Sequence, residues 1–485
     1  ELGIRLINWS FTWYLIGGID SPLFTDSKGG AFRDRWLTSI YQHAHFIHGH
    51  FSRYSSANNH LIGESAGLFV AAITWPVWED STKWQKVATK QLVREALLQN
   101  APDGVNREQA ISYQQFVLDF LLIAALVGRI NGVEFPKDYW RQIEKMLEYL
   151  ASVMDMAGNV PMIGDADDGV VVRLSQESEF CPYRSLLATG AVLFKRADFK
   201  TKAGRLDDKT RWLLGSSAES EFKAIKTDAV TLPARRDFPE GGYFILGSDF
   251  ETDQEIRLIV DAGPLGYKSL AAHGHADALA LTLSIGGREF LIDPGTYTYH
   301  TRQGWRDYFR GTSAHNTVLV DGQNQSVAGG NFMWLQHAEA TCDVWGIGKE
   351  TERFVGSHNG YTRLTDPVIH EREITLNKTI KAVEITDNLR CEHSHMIERN
   401  WHFSENTKVS VDNNGLIVAE NDGIKIRLKP GKEIVKALIR RGDTSPIGGW
   451  VSRSFDIKSE TTTVVWKTEI QGTTRLRTDI DCFVK

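Results

Sequence analysis

Cysteine is scarce in this chain, which has four cysteines among 485 residues. They stand far apart, and no two of them form a Cys-x-x-Cys pair. The spacing therefore indicates neither a zinc knuckle nor a redox-active dithiol, because both need closely paired cysteines. Disulfide pairing stays open.

The chain also has no excess of positive charge: it contains 55 lysines and arginines and 61 acidic residues, and its formal net charge is −6. Binding to a nucleic-acid backbone needs a basic surface, so we expect no nucleic-acid partner. We find no apolar run near the roughly 20 residues that a membrane helix needs, and we expect no membrane partner. An acidic sugar stays possible, because a local basic cleft can exist within an acidic protein.

Histidines and carboxylates are concentrated in one part of the sequence. His273-Gly274-His275-Ala276-Asp277 is followed by Asp293 and then by His315, close to the strand-like runs Leu279–Leu283 and Thr317–Val320. Residues at strand ends can converge on one point. Because imidazole nitrogen and carboxylate oxygen are ligands for divalent cations in mixed sites, His275, Asp293 and His315 predict a metal site.

The period of the apolar pattern changes near the middle of the chain. The first half has helical spacing, as in Phe116, Phe120, Ile123 and Val127. From about Arg235 onward the pattern alternates with period two, as in Leu279, Leu281, Leu283 and Ile285. The pattern predicts helices first and antiparallel strands second, an α+β multidomain fold.

The length predicts two domains, because one core rarely serves 485 residues. A polar segment with little periodicity, Phe199 to Asp237, lies between the two patterns. We place the boundary there, with a helical domain at residues 1–234 and a sheet domain at residues 235–485.

Two further polar constellations lie in the helical half. The run from Arg53 to Glu64 contains Asn59 and His60 and precedes an apolar helix. Asn58 or Asn59 is also a natural cap for that helix. Tyr113 stands at the start of another apolar helix, and a lone tyrosine there is usually an ordinary half-buried aromatic.

These residues resemble the heparinase II/III superfamily of polysaccharide lyases. Asn59-His60-Leu61-Ile62-Gly63-Glu64, Tyr113, and the histidine motif with Asp293 and His315 match its signatures in order and spacing. The resemblance implies an incomplete (α/α) toroid, a C-terminal antiparallel β-sandwich and a sugar chain in the cleft between them. It also implies that His275, Asp293 and His315 hold one mainly structural divalent ion, zinc, manganese or calcium, while His273 points into the cleft.

The resemblance further implies β-elimination at a uronic acid, which leaves a 4,5-unsaturated product. The catalytic candidates are Asn59 and His60, which would neutralise the uronate carboxylate, and Tyr113 and His273, which would move protons. The substrate-binding candidates are Arg53, Glu64, Gln114, Tyr299 and Arg306. Tyr297 and Tyr308 are alternatives to Tyr299 as a second tyrosine of the sheet domain.

We expect a glycosaminoglycan substrate, namely heparan sulfate, hyaluronan or chondroitin. Alginate lyase, a non-catalytic protein that binds an acidic polysaccharide, and a metal-dependent hydrolase are the alternatives. The sequence starts at Glu1 without a methionine or a signal-like segment. We interpret it as a mature or truncated product and expect a periplasmic or secreted location.

Overall fold

The computed structural model describes residues 1–228, 230–433 and 435–483. The chain forms two compact units. The helical unit comprises Glu1–Asn106, Tyr113–Leu147 and Gly169–Thr227, and the sheet unit comprises Arg107–Ser112, Glu148–Asp168 and Asp228–Lys485. The predicted division into residues 1–234 and 235–485 stays a prediction about domains.

Helices occupy the first half of the chain. In chain order they are α1 (Leu2–Leu15), α2 (Ser27–Gly49), α3 (Asn59–Thr74), α4 (Ser81–Leu98), α5 (Ile111–Ile130), α6 (Lys137–Val153), α7 (Pro182–Phe194), α8 (Ala197–Ala203), α9 (Asp208–Leu214), α10 (Ala218–Ala224) and, among the strands, α11 (Gln303–Phe309). The polar segment that we took for a boundary thus contains short helices.

Helix α3 is a central element of the helical unit and packs against α1, α2 and α4. The Asn58 side chain caps it by accepting the His60 N–H at 3.1 Å, so the capping interpretation is correct for Asn58. A Cβ atom on Gly67 would lie 2.2 Å from the Cα of Gly3. Glycine at both positions therefore lets α1 and α3 approach at backbone contact.

The apolar pattern of α5 corrects one expectation from the sequence. Its 20 residues, Ile111–Ile130, are long and apolar enough to cross a membrane by length and composition. In the structure, 83% of the apolar window is buried within the protein, as in the core helix of a globular fold. The statement that no run approaches membrane length was therefore wrong.

Strands follow the helices. In chain order they are β1 (Asp237–Phe238), β2 (Tyr243–Ser248), β3 (Ile256–Asp261), β4 (Leu281–Ile285), β5 (Arg288–Leu291), β6 (Val318–Val320), β7 (Val327–Gly330), β8 (Met333–Gln336), β9 (Ala340–Ile347), β10 (Thr351–Tyr361), β11 (Val368–Asn377) and β12 (Ala382–Arg390). The remaining strands are β13 (Ser394–His402), β14 (Lys408–Val411), β15 (Ile417–Asn421), β16 (Ile424–Pro430), β17 (Lys436–Arg440), β18 (Asp443–Thr444), β19 (Ile447–Gly448), β20 (Trp450–Ser454), β21 (Ile457–Glu460), β22 (Thr463–Gln471) and β23 (Thr474–Phe483).

The three largest sheets of the described sheet unit are antiparallel, and three two-stranded sheets accompany them. The first has the order β1-β2-β3-β4-β5, the second β14-β15-β16-β23-β12-β11-β10-β9, and the third β17-β22-β13-β6. Strand β11 alternates strictly between buried and half-buried residues, which is the period-two pattern of a sheet with one face on a core. The predicted order of helices followed by antiparallel sheets is confirmed.

One apolar core joins these sheets. It takes Leu258 from the first sheet, Ile374 from the second and Trp466 from the third, all fully or almost fully buried. A short bridge between Leu291 and Phe403 links the edge after β5 to the end of β13. Loops at this edge carry Asp293 and His315, so the packing of the sheets determines where these side chains meet.

Lys209 of α9 and Asp119 of α5 form a buried ion pair in the helical unit. The ammonium lies 2.7 and 2.8 Å from the two carboxylate oxygens, and the side chains are 4% and 0% exposed. Removing one partner leaves the other charge buried and unpaired. This pair is therefore costly to break.

We predict that Lys209→Met lowers the free energy of unfolding by about 3–5 kcal/mol. Urea unfolding followed by tryptophan fluorescence measures the change. The matched control is Lys195→Met, which breaks the exposed pair with Glu221 and should cost no more than about 1 kcal/mol. Equal losses in the two variants would contradict the prediction.

A second buried polar network lies in the sheet unit. His358 Nε2 lies 3.1 Å from His370 Nδ1, and His370 Nε2 lies 2.8 Å from Asp387, which Arg372 also contacts. Burial lowers the pKa of His358 well below its usual value, and the neighbouring His370 and Arg372 add to this effect. Burial also lowers the pKa of His370, against the opposing charge of Asp387.

We predict that this network makes stability sensitive to acid. Below about pH 6.5 the His358 imidazole binds a proton in the unfolded chain but stays neutral in the folded protein. The free energy of unfolding therefore falls as the pH falls, by about 1.4 kcal/mol per pH unit for one such group. His358→Gln should flatten the pH dependence of the urea unfolding free energy by that amount. An unchanged slope would contradict it.

Candidate active site and metal centre

Four buried side chains of the sheet unit converge at one point. His275 and Asp277 lie between β3 and β4, Asp293 follows β5, and His315 precedes β6. One ligand atom from each lies within 4.8 Å of the others. The structure thus brings together the three residues predicted from the sequence and adds Asp277, which the sequence analysis did not select although it closes the same motif.

Each of the two histidines has one ring nitrogen available to bind a metal ion. His275 Nε2 lies 3.1 Å from Asp165 Oδ1, and His315 Nδ1 lies 3.2 Å from Asp293 Oδ2. In the described part of the chain, the other nitrogens, His275 Nδ1 and His315 Nε2, are buried without a hydrogen-bond partner. A nitrogen oriented by a carboxylate outside the ligand group, with the other nitrogen left for the metal, is the pattern of metal-binding histidines, and His275 shows it through Asp165.

The acidic neighbours also fit a cation. Burial raises the pKa of Asp277 well above its usual value, and the charge of Asp261 adds to it. Burial likewise raises the pKa of Asp261 to about 7, with a contribution from Asp293. A divalent ion would stabilise these carboxylates as anions. Two imidazoles with carboxylates suit zinc or manganese better than calcium, which prefers oxygen ligands.

Asp165 is the residue around which this centre is organised, and the sequence analysis missed it. It is fully buried and contacts His273, His275 and Arg306. Burial raises the pKa of this carboxyl, but the Arg306 guanidinium and the two histidines outweigh burial and hold the pKa well below its usual range. Its only signal in the sequence is the acidic loop after Gly164.

His273 faces a carboxylate with each ring nitrogen. Nδ1 lies 3.1 Å from Asp165 Oδ2, and Nε2 lies 3.6 Å from Glu108 Oε2. Burial disfavours the charged imidazole, yet the bond to Asp165 and the charge of Glu108 outweigh it and raise the pKa of His273. Glu108 was also not selected from the sequence, because it stands in a polar loop without periodicity.

The glycine between the two histidines has a steric reason. A Cβ atom on Gly274 would lie 1.5 Å from the carbonyl oxygen of Leu265. The close approach of these two loops leaves no room for a side chain. His273 and His275, on either side of Gly274 in the sequence, both contact Asp165.

Among the tyrosines that the sequence left open, Tyr299 is the one beside His273. The ring centroids of Tyr299 and His273 are 6.4 Å apart, and Phe332 packs against both rings. Tyr297 and Tyr308 instead belong to a separate apolar cluster around Phe309.

Arg306, predicted to bind substrate, is fully buried and paired with Asp165 and the carbonyl of Asn331. In the helical unit, Gln114 is 1% exposed and bonds the backbone of Asn106, Gly104 and Met146. The structure therefore gives both side chains a role in positioning other groups. Their contact with a substrate stays a prediction.

Three of the other predicted residues of the helical unit lie in the first turn of a helix. Asn59 is buried and His60 is exposed in the first turn of α3, and Tyr113 is 5% exposed in the first turn of α5. Helix N-termini favour anions, because their N–H groups and dipole point outward. Exposed Arg53 adds a positive charge before α3, and Glu64 accepts hydrogen bonds from the Ser52 N–H and hydroxyl.

The protein is of the α+β multidomain class: a helical unit is followed by antiparallel sheets, and the sheets carry a centre of histidines and carboxylates. Residues 1–183 match the heparinase II/III N-terminus family, and residues 230–479 match the heparinase II/III-like C-terminal family. The chain belongs to the heparinase II/III family. This confirms the family predicted from the sequence motifs.

Named relatives agree with the assignment. The chain is 23% identical over 401 residues to a heparin-sulfate lyase of Pedobacter heparinus, a match that covers 81% of this chain and 52% of that protein. It is 24% identical over 333 residues to a heparin-sulfate lyase of Bacteroides stercoris, covering 67% of this chain and 42% of that protein. The chain thus spans about half the length of the curated relatives it matches.

The fold resembles a solved structure of heparinase III with a TM-score of 0.77 and 17% identity, covering 100% of this chain and 69% of the other. The predicted fold class, a helical toroid domain followed by antiparallel sheets, is confirmed by this likeness. At this level of identity the likeness concerns the fold alone.

We predict that the four-residue centre binds a divalent ion and that Asp277→Asn weakens binding at least about tenfold, since it removes a ligand. Metal content after dialysis against limiting zinc or manganese, measured by inductively coupled plasma mass spectrometry, should fall by one ion per chain. The exposed Asp253→Asn should leave the metal content unchanged. Equal metal content in wild type and Asp277→Asn would contradict the prediction.

Proposed function

We propose that this chain is a polysaccharide lyase that cleaves uronic-acid-containing glycosaminoglycans by β-elimination. The observation that carries the proposal is the position of His273, which is fixed by Asp165 beside the metal centre and faces Glu108. Membership of the heparinase II/III family and the names of the curated relatives support the same reaction.

The chemistry defines three tasks. A group must neutralise the uronate carboxylate, because its charge opposes removal of the C5 proton. A base must then take that proton, and an acid must protonate O4 as the C4–O4 bond breaks. The electron pair of the C5–H bond forms the C4=C5 double bond, and the O4 side leaves as an alcohol.

Asn59 and His60 suit the first task. Their amide and imidazole stand in the first turn of α3, where helix N–H groups and the dipole favour an anion. Such donors stabilise the enolate dianion that develops when the proton leaves. Arg53, which is exposed before α3, supplies a further cation for an acidic sugar.

Tyr113 of the helical unit and His273 of the sheet unit are the two candidates for the proton transfers, and one residue can serve both steps if the proton and O4 leave from the same face. The Nδ1 atom of His273 is engaged by Asp165, so Nε2 is the atom that exchanges a proton. A phenol has a reference pKa near 10, so Tyr113 works as a base only when cationic groups stabilise its anion. The metal ion, bound through His275, Asp277, Asp293 and His315, would keep the loop of His273 in place.

Heparan sulfate is the first substrate to test, because the two curated relatives described above are named heparin-sulfate lyases. Hyaluronan and chondroitin share the uronate on which the reaction depends. Alginate lyase is the second candidate, and the position of Tyr299 beside His273 favours it, since a second tyrosine of the sheet domain assists some alginate lyases. The polymers are extracellular, which supports a periplasmic or secreted location.

We predict that the chain produces an unsaturated uronate from one of these polymers and that Tyr113→Phe lowers the initial rate by about 10²–10⁴, the usual range for a general acid or base. Ultraviolet absorbance of the 4,5-unsaturated product measures the rate on heparan sulfate, hyaluronan, chondroitin sulfate and alginate separately. His273→Ala should lower the rate by a similar factor.

The matched control is Tyr139→Phe, which removes a phenol that donates to the Leu121 carbonyl within the helical unit. It should retain most of the activity. A saturated new chain end would instead favour a hydrolase, and binding of the polymer without cleavage would favour a carbohydrate-binding protein. Either result would contradict the lyase proposal.

A further inference from the structure

A second cluster of ligand-type side chains lies in the sheet unit near the turn between β12 and β13. One ligand atom each from Asp366, Cys391 and His395 lies within 4.8 Å of the others. Asp366 stands in the segment between β10 and β11, so the cluster joins two separate turns. The lyase chemistry and the first metal centre use none of these residues.

The local sequence explains how these groups come together. Cys391, His393 and His395 are spaced two residues apart, where the chain enters β13. Of the three, only His395 lies in β13, and Cys391 and His393 lie in the turn that precedes this strand. Backbone N–H groups of Glu392 and His393 donate to Asp366 Oδ2 at 3.2 and 2.7 Å, which holds the aspartate against this turn.

His395 is oriented as a metal ligand would be. Its Nδ1 lies 2.6 Å from Asp321 Oδ2, and its Nε2 lies 2.9 Å from Asp366 Oδ2. Asp321 also accepts the Met396 N–H at 2.8 Å, which fixes the carboxylate. A carboxylate on one imidazole nitrogen, with the other directed at the remaining ligands, is the second-shell arrangement of zinc-binding histidines.

The charges of the cluster favour a cation. In the described part of the chain, Asp321 and Asp366 form ion pairs with histidines and with no lysine or arginine. A bound divalent cation would place positive charge beside these two carboxylates.

We propose that Asp366, Cys391 and His395 form a second metal site of this protein, specific for zinc or a similar thiophilic divalent cation. His393 lies next to this group: its side chain is 76% exposed, and its Nδ1 lies 3.5 Å from Asp366 Oδ1. The sulfur, nitrogen and oxygen donors of cysteine, histidine and aspartate are ligand atoms that zinc accepts.

The proposed ion would connect the segment between β10 and β11 to the turn between β12 and β13. Its ligands differ from those of the first centre, which contains histidines and carboxylates but no cysteine. This difference gives the second site a spectroscopic signal of its own. The inference is independent of the proposed lyase activity.

Cobalt(II) is the probe, because a cobalt–thiolate bond gives a charge-transfer band in the near ultraviolet that the first centre cannot produce. We expect the reduced wild-type protein to show this band with an amplitude of one cobalt–thiolate site per chain, saturating by two added equivalents because the first centre also takes one ion, and zinc to abolish it. Asp321→Asn should weaken cobalt binding by about 10–100-fold, as expected for the loss of a second-shell carboxylate.

Cys391→Ser should abolish the band, while circular dichroism confirms that the variant is folded. The matched control is Cys342→Ser, which changes another half-buried cysteine of the sheet unit and should keep the band. The absence of a band in the wild type, its survival in Cys391→Ser or its loss in Cys342→Ser would each overturn the proposal.

Discussion

A buried carboxylate costs several kcal/mol unless it is paired and hydrogen-bonded. Asp165 meets this condition through the Arg306 guanidinium, with one nitrogen 2.8 Å from Oδ2, and through the imidazoles of His273 and His275. All four groups are buried. The candidate site of the sheet unit depends on this pairing, because neither the arginine nor the carboxylate is stable there without the other.

The same carboxylate connects two tasks. Its Oδ1 side orients His275, which leaves Nδ1 of that ring for a metal ion. Its Oδ2 side orients His273 through Nδ1, and Nε2 of that ring, which faces Glu108, is the atom assigned to proton exchange in the proposed lyase reaction. The candidate metal centre and the candidate catalytic histidine therefore share one carboxylate, and Gly274 allows the close approach of their loop to Leu265.

Local pattern predicted the elements well. The alternation in β4 and β11 reflects one buried face, which is a property of neighbouring residues. Helix α5 is buried on nearly all sides, and its apolar spacing still predicted a helix. The motif around His275 also predicted a convergence with Asp293 and His315, since all three stand at strand ends. The membrane-length apolar run of α5 was missed in the sequence. Its composition does not distinguish a core helix from a membrane helix, and its burial in the structure does.

The sequence by itself determined the order of helices and strands, the family and most of the candidate ligands, because periodicity and motif spacing are local. Only the tertiary structure decided which partners these residues have. It added Asp165, Glu108 and Asp277 to the candidate site. It also showed that Tyr299, unlike Tyr297 and Tyr308, lies beside His273, and that Arg306 is a buried ion-pair partner of Asp165. These outcomes depend on contacts between loops far apart in the chain, where burial changes the free energy of each charge and no local pattern records it.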